Sequence, residues 1–147
     1  MPSDRSVPSR HIDAALLVIR IALGIIMIAH GYQKVFTMGL GAVTGGFTQM
    51  GVPMPAMTAP IIAFVELLGG CAVLIGLLTR LASLGLAIDM LGAITFVHFK
   101  NGFFLPTGFE YPMALLFIAI ALTLAGPGEY SIDAMIAGRR TGASNAP

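Results

Sequence analysis

The chain has 147 residues, of which 56% are apolar and 10% are charged, and its mean hydropathy is +0.89. An ordinary soluble domain carries about 25% charged residues, so this composition indicates a membrane protein and excludes a soluble domain. The net charge of +1 provides no basic surface for nucleic acid. The length accommodates one small helical bundle, because each membrane span needs about 20 residues.

Four apolar stretches predict an all-α fold, a transmembrane four-helix bundle. We expect its spans at about residues 14–36, 59–78, 81–99 and 111–125. Only Thr79 and Arg80 separate the second span from the third. A single helix across both would be about 60 Å long, twice the hydrocarbon thickness of about 30 Å, so a tight hairpin is predicted there.

The basic residues predict the orientation and the organisation of the chain. Five arginines fall in the N-terminal tail, the second loop and the C-terminal tail, whereas Lys34 and Lys100 fall at the other two loops. Cytosolic loops carry the excess of Lys and Arg, so both termini are predicted to be cytosolic. We expect a cytosolic tail over residues 1–13, a membrane domain over 14–135 and a flexible tail over 136–147. The uncharged, apolar loop 37–58 then faces outward and is expected to lie back over the mouth of the bundle.

One ion pair is predicted in the cytosolic half of the bundle. Arg20 and Asp89 lie at depths in the first and third spans that match to within about 3 Å at 1.5 Å per residue. A charge inside a membrane span needs a partner within the protein. We therefore interpret Arg20 and Asp89 as a structural ion pair, with proton handling as the alternative role.

A second group of polar residues lies toward the opposite end, and all four spans contribute to it. Glu66 lies two turns into the second span, where a carboxylate must be neutral, paired or ligating, so it is the strongest candidate functional residue. His30 and His98, at the ends of the first and third spans, are the other candidate catalytic groups, because they could exchange protons with Glu66. The candidate ligand-binding residues are Lys34, Asn101, Phe103, Glu110 and Tyr111.

Helical geometry limits which of these groups can meet. On the first span, Arg20, His30 and Lys34 fall within about 120° of arc at roughly 100° per residue, so that face is expected to contact the bundle. Asp89 and His98 are nine residues apart, which places them on opposite faces of an ideal helix. We therefore expect the third helix to end near residues 96–99.

Each outer group also has a structural interpretation. A histidine at a span end can be an interfacial residue, Lys34 can extend to the headgroups, and Glu110 beside Pro112 can cap a helix. His and Glu on facing helices can build a metal site, but no ExxH spacing occurs and no metal is predicted. The single cysteine, Cys71, excludes an internal disulfide and a two-cysteine redox centre.

Several segments resemble the DoxX family of small four-span bacterial membrane proteins, over roughly residues 14–135. The stretch from His98 to Pro112 is the most specific part of the resemblance, and Asp89 has no matching residue in the family pattern. Besides Arg20, the matching segments are His30–Lys34, Gly51–Pro53, Glu66–Gly70, Leu78–Arg80, His98–Phe104, Gly108–Pro112, Gly126–Gly128 and Ser131–Asp133.

The resemblance implies a multi-pass protein of the bacterial inner (plasma) membrane with a link to redox chemistry. Relatives include a subunit of a thiosulfate:quinone oxidoreductase and proteins tied to resistance to catechols and quinones. This chain has no dinucleotide fingerprint, CxxC pair or haem-attachment motif. Its electron carrier is therefore expected to be a membrane quinone or a cofactor on another subunit.

Three functions remain open at this point. The first is a quinone-linked oxidoreductase or redox-complex subunit with a polar pocket in the outer leaflet. The second is a non-catalytic membrane anchor or assembly subunit for a soluble redox enzyme, and the third is a small proton-coupled carrier. The lipid bilayer is the expected environment, another redox subunit is the candidate partner, and no oligomeric state is predicted.

Overall fold

The computed structural model describes residues 7–143, which form helices joined by short turns and contain no strand. Two of the long helices continue beyond their regular winding, one as a π-helix and the other as a π-helix followed by a 3-10 turn. The α-helices are α1 (Val7–Tyr32), α2 (Leu40–Gln49), α3 (Pro55–Ile75), α4 (Thr79–Gly92), α5 (Glu110–Ala125) and α6 (Ile132–Ala143). The π-helices are Gln33–Met38 after α1 and Ala93–His98 after α4, and the 3-10 turn is Phe99–Asn101.

The predicted all-α membrane bundle is confirmed. Three helical stretches are long and apolar enough to cross a membrane: Ser9–Met38, Pro55–Ile75 and Thr79–Asn101. Helix α5 is also apolar but has only 16 residues. Large apolar side chains such as Val18 and Leu81 are 65% and 68% exposed, which suits lipid rather than water as their surroundings.

The turn between α3 and α4 is the predicted tight hairpin. Gly76 and Leu78 adopt left-handed conformations, with φ values of 73° and 48°. The N–H groups of Gly76 and Leu77 donate to the carbonyls of Val73 and Ala72, the bonding pattern of a Schellman motif. This closure ends α3 and reverses the chain within three residues, since α4 begins at Thr79.

Helices α1 and α3 pack closely through glycines. A Cβ atom on Gly24 would lie 2.8 Å from Leu74 Cβ, and one on Gly31 would lie 2.4 Å from the Leu67 backbone nitrogen. Small residues at such interfaces allow the two backbones to approach. The approach at Gly31 and Leu67 places the turn that carries Lys34 beside the turn that carries Glu66.

Arg20 is completely buried at one end of the bundle and donates only to backbone carbonyls. Its Nε and Nη2 atoms lie 2.9 Å from the carbonyl oxygens of Val73 and Leu74, at the end of α3. Its Nη1 atom lies 2.8 Å from the carbonyls of both Pro127 and Tyr130. The last carbonyls of a helix have no partner within it, so Arg20 supplies the donors that α3 and the segment before α6 lack.

The predicted ion pair between Arg20 and Asp89 is therefore wrong. The depths of Arg20 and Asp89 match, but the carbonyls at the end of α3 lie at the same depth and are the acceptors that Arg20 uses. Asp89 instead lies with Glu66 and Lys34, as described below. We call the two ends of the bundle the Arg20 end and the Glu66 end.

Asp133 bonds backbone groups of the α3–α4 turn at the Arg20 end. Its carboxylate accepts hydrogen bonds from the backbone N–H groups of Leu78, at 2.8 Å, and Thr79, at 3.0 Å. Its own N–H donates to the Gly76 carbonyl at 2.9 Å. An acidic group at a helix N-terminus satisfies free donors and favours the positive end of the helix dipole, so Asp133 fixes the start of α4.

Helices extend into both predicted tails. Helix α1 begins at Val7, within the tail predicted for residues 1–13, and residues 1–6 lie outside the described part of the chain. Helix α6 extends to Ala143, within the tail predicted for residues 136–147, and the flexibility of that tail stays a prediction. Residues 144–147 lie outside the described part.

Replacing Arg20 by Lys should destabilise the protein although the charge is kept. A single ammonium group cannot reach carbonyls in two separate segments as the guanidinium fork does. We expect the free energy of unfolding to fall by about 3 kcal/mol, measured by thermal unfolding in detergent. Arg139→Lys, at an exposed position of α6, is the matched control. Equal unfolding midpoints for the two variants would contradict this role of Arg20.

Candidate functional site

A cavity of about 730 Å³ lies at the Glu66 end of the bundle. Helices α1 to α5 all contribute to its wall, and most of the lining residues are apolar. Its volume is in the range of small-molecule sites, about 300–1,000 Å³. The ionisable side chains on its wall are those of His30, Lys34, Glu66, Asp89, His98 and Tyr111.

Helix α2 covers this cavity. The segment between α1 and α3 was expected to lie over the mouth of the bundle, and it does so as a helix rather than as a loop. Val43, Phe47 and Met50 line the cavity from this side, and Val43 is almost fully buried. Gly39 and Gly51, with φ values of 80° and 75°, allow the sharp changes of direction before and after the helix.

Glu66 is paired with Lys34. The Lys34 Nζ atom lies 2.5 Å from Glu66 Oε2. The side chain of Glu66 is 5% exposed and that of Lys34 is 18% exposed. A buried carboxylate requires a compensating charge, and here the ammonium group provides it. Of the three states predicted for Glu66, which were neutral, paired or ligating, the structure has the paired one.

Asp89 is the third member of this group. It is 5% exposed, lines the same cavity, and has its carboxyl group near Glu66 and near the charge of Lys34. Its Oδ2 atom receives no hydrogen bond from any described residue. One ammonium group therefore faces two carboxyl groups, and we call Lys34, Glu66 and Asp89 the acidic cluster.

The two π-helices turn the ends of α1 and α4 toward the cavity. A π-helix closes i→i+5 hydrogen bonds and so rotates by a smaller angle per residue than an α-helix. This rotation overcomes the predicted separation of Asp89 and His98 on opposite faces, since both line the cavity. The regular winding of α4 stops at Gly92, before the predicted end at 96–99. Lys34 lies in the corresponding π-helix after α1.

The two predicted catalytic histidines lie on the cavity wall without contacting Glu66. His98 Nδ1 is 2.8 Å from the Thr107 carbonyl oxygen. A carbonyl can only accept, so Nδ1 carries the proton, and Nε2 is the acceptor of the neutral ring. His30, on α1, lines the cavity and is exposed. Proton exchange between these rings and Glu66 would need an intervening group.

Glu110 and Asn101, predicted to bind a ligand, do not line the cavity. Glu110 Oε1 accepts a hydrogen bond of 2.7 Å from the Leu105 backbone N–H. Asn101 Nδ2 donates to the Thr107 carbonyl at 3.3 Å. Both side chains hold the segment between α4 and α5 in place, and the bond from Glu110 goes to this segment and does not cap α5, as the structural alternative had expected.

Phe103 also lies outside the cavity wall. Its ring makes edge-to-face contacts with Phe104 and Phe109, with centroids 5.2 and 5.3 Å apart. Phe99 and Phe109 stack at 5.8 Å. These rings pack on one another and form an aromatic cluster within the segment. Of the two aromatic residues predicted to bind a ligand, Phe103 and Tyr111, only Tyr111 lines the cavity.

Within the described residues, no group of three or more His, Cys, Asp or Glu side chains is arranged to hold a metal ion. The acidic cluster brings only two carboxyl groups together, and Lys34 occupies the position beside them. An ammonium group cannot ligate a metal while it is protonated. The chemistry available here is proton exchange and hydrogen bonding to a ligand in the cavity.

A double-mutant cycle on Lys34→Met and Glu66→Gln should show strong coupling. Each single change leaves a buried group without its partner and should lower the free energy of unfolding by about 3 kcal/mol. The double variant should be more stable than additivity predicts by about 1–3 kcal/mol. Thermal unfolding in detergent supplies the four values, and strictly additive effects would contradict a direct pair.

Comparison with known proteins agrees with this architecture. The DoxX family model matches residues 15–99, which include Arg20 and the whole acidic cluster. An uncharacterized membrane protein of Mycobacterium tuberculosis is 32% identical in an alignment that covers 86% of this chain and 84% of the relative. The Bacillus subtilis protein named "Putative oxidoreductase CatD" is 33% identical, over 78% of this chain and 83% of that protein.

The inner membrane protein YqjF of Escherichia coli is 30% identical, over 84% of this chain and 93% of that protein. No solved structure matches the chain. The family match covers more than half of the chain, and the relatives align with most of its length. The chain therefore belongs to the DoxX family of membrane proteins.

Proposed function

We propose that the chain is a quinone-linked subunit of a redox complex in the bacterial inner membrane, and that the cavity binds the ring of a membrane quinone. The observation that carries this proposal is the acidic cluster, which is buried in the wall of an apolar cavity of small-molecule size. The names of two relatives support it, one as an oxidoreductase and one as an inner membrane protein.

The apolar part of the cavity suits a lipophilic ring. Met27, Met50, Met54 and Phe96 line it. The thioether of methionine is polarizable, adapts to irregular shapes and makes favourable contacts with aromatic rings. A quinone head group would therefore pack against the methionines and Phe96 while its oxygen atoms reach the polar side chains.

The acidic cluster would handle the protons of the quinone couple. Oxidation of a quinol releases two protons and two electrons, and reduction of a quinone takes up the same number. Glu66 and Asp89 accept or return the protons at the ring oxygens, and Lys34 stabilises the anion that forms between the two proton transfers. His98 and the exposed His30 pass protons between the cavity and water.

The electrons of this couple would move to or from a partner subunit that carries a redox cofactor. The chain has a single cysteine and no dinucleotide fingerprint, so its own residues supply binding and proton transfer only. The reaction balances in either direction: oxidation of the quinol releases two protons through the cavity and gives two electrons to the partner's cofactor, and reduction of the quinone takes up two protons and two electrons by the same route.

The proposed orientation places the Arg20 end in the cytosolic half of the membrane and the cavity in the outer leaflet. Arg10, Arg80 and Arg139 support this orientation because they lie toward the Arg20 end, whereas Lys34 and Lys100 lie toward the other. The excess of basic residues is expected on the cytosolic side.

Photoaffinity labelling with an azido-quinone tests this proposal. The label should appear on cavity-lining residues such as Met50, Met54 and Phe96, and unlabelled quinone should compete with it. When the label is reduced to its quinol, Glu66→Gln should lower labelling about tenfold, because the variant loses a carboxylate that accepts from a ring hydroxyl. Glu129→Gln, near the Arg20 end, should label like the native protein.

Labelling spread over lipid-facing residues such as Val18 and Leu81, without competition, would contradict the quinone site. That result would favour the anchoring-subunit function instead. Labelling of the cavity that is equal in the native protein and in Glu66→Gln would contradict the role given to the acidic cluster.

A further inference from the structure

We infer that the cavity selects a ligand with hydrogen-bond donors, so that it binds the quinol in preference to the quinone. The inference rests on the proposed function, because it concerns which form of the couple the same cavity holds. It follows from the imbalance between donors and acceptors around the acidic cluster.

Asp89 supplies an acceptor that no described residue satisfies. Its side chain is 95% buried, since 5% is exposed, and it lines the cavity. Its Oδ2 atom has no hydrogen-bond donor. A buried acceptor without a donor is unfavourable, and a ligand that brings a donor removes that penalty when it binds.

The donor near Asp89, the ammonium group of Lys34, is already bonded within the protein. Among the described residues, Lys34 has the only ammonium group on the cavity wall, and its Nζ donates to Glu66 Oε2. A ligand that offers only acceptors would have to compete with Glu66 for Lys34. The carbonyl oxygens of a quinone are of this kind, because they carry no hydrogen.

A second acceptor on the cavity wall, His98 Nε2, also favours a ligand that carries a hydrogen-bond donor. His98 donates through Nδ1 to the Thr107 carbonyl, which leaves Nε2 of the neutral ring as an acceptor. The two hydroxyl groups of a quinol can donate to acceptors such as the Asp89 carboxyl group and His98 Nε2. The oxidised ring can donate to neither.

A ligand amine is the other donor that could meet the two carboxyl groups. Lys34 opposes it, because an alkylammonium ion would bring a second positive charge next to the first. The apolar remainder of the cavity also disfavours a charged ligand. A neutral hydroxyl donor is therefore the ligand that the site fits best.

Such a preference would change the redox property of the bound couple. A site that binds the quinol tenfold more tightly than the quinone raises the reduction potential of the bound couple by about 30 mV. The cavity would then favour reduction of the quinone that it holds.

Equilibrium binding to the purified full-length protein in detergent, under anaerobic conditions, tests the inference. Four probes are compared: a decyl-substituted benzoquinone, its quinol, the dimethyl ether of that quinol, and decylammonium. We expect the quinol to bind about tenfold more tightly than the quinone, and the ether to bind no more tightly than the quinone, since it has lost both donors.

Two variants test whether Asp89 causes the preference for the quinol. Asp89→Leu should bring the quinol-to-quinone affinity ratio close to one, because it removes the free acceptor. Met50→Leu changes a lining residue without a polar group, so it should alter both affinities by the same factor and keep the ratio. The ratio in the native protein is decisive even if the Asp89 variant fails to fold.

Three outcomes would overturn the inference. If the quinone binds as tightly as the quinol or more tightly, the donor preference is wrong while the quinone site stands. If decylammonium binds more tightly than the quinol, the selected donor is a cation. If neither form of the couple binds, the proposed function fails and the inference fails with it.

Discussion

Hydrocarbon offers no hydrogen bonds, so every charge and every free carbonyl inside the bundle must find its partner within the protein. Arg20 meets this constraint at one end by donating to carbonyls at the end of α3 and in the segment before α6. The Asp133 carboxylate accepts hydrogen bonds from the N–H groups of Leu78 and Thr79, at the start of α4. Arg80 donates to the last carbonyls of α5, those of Thr123, Leu124 and Ala125. These bonds fix the helix ends relative to one another.

The same constraint is met differently at the Glu66 end, and this difference is the basis of the functional proposal. The close approach of α1 and α3 at Gly31 brings Lys34 to Glu66, and the π-helix after α4 keeps Asp89 and His98 on one cavity. Here the partners are incomplete, because Asp89 Oδ2 has no donor. At the Arg20 end the charged side chains are bonded to backbone groups and are structural, whereas the Glu66 end keeps a carboxyl oxygen without a donor in the wall of an apolar cavity, which is the property of a binding site.

The sequence was sufficient for the features that follow from hydropathy and depth. The spans, the hairpin at Thr79 and the need of Glu66 for a partner could be predicted, because an isolated carboxylate deep in an apolar run must be neutral, paired or ligating. The Arg20–Asp89 pair could not be judged from side chains alone, since the acceptors for Arg20 are backbone carbonyls. The π-helices were not predicted, because ideal α-helical geometry was assumed throughout. That geometry places Asp89 and His98 on opposite faces of the helix. The polar residues of the α4–α5 segment, such as Glu110, carry no pattern that distinguishes a loop contact from a ligand contact.

The central claim is that the acidic cluster holds a lipophilic redox ligand in the cavity. Mass spectrometry of organic extracts from protein purified out of native membranes in mild detergent tests it most directly, with Glu66→Gln purified in parallel. The account predicts that a quinone or quinol travels with the native protein in a defined ratio and is depleted in the variant. A native protein that carries no such molecule, or a variant that retains it equally, would contradict the account.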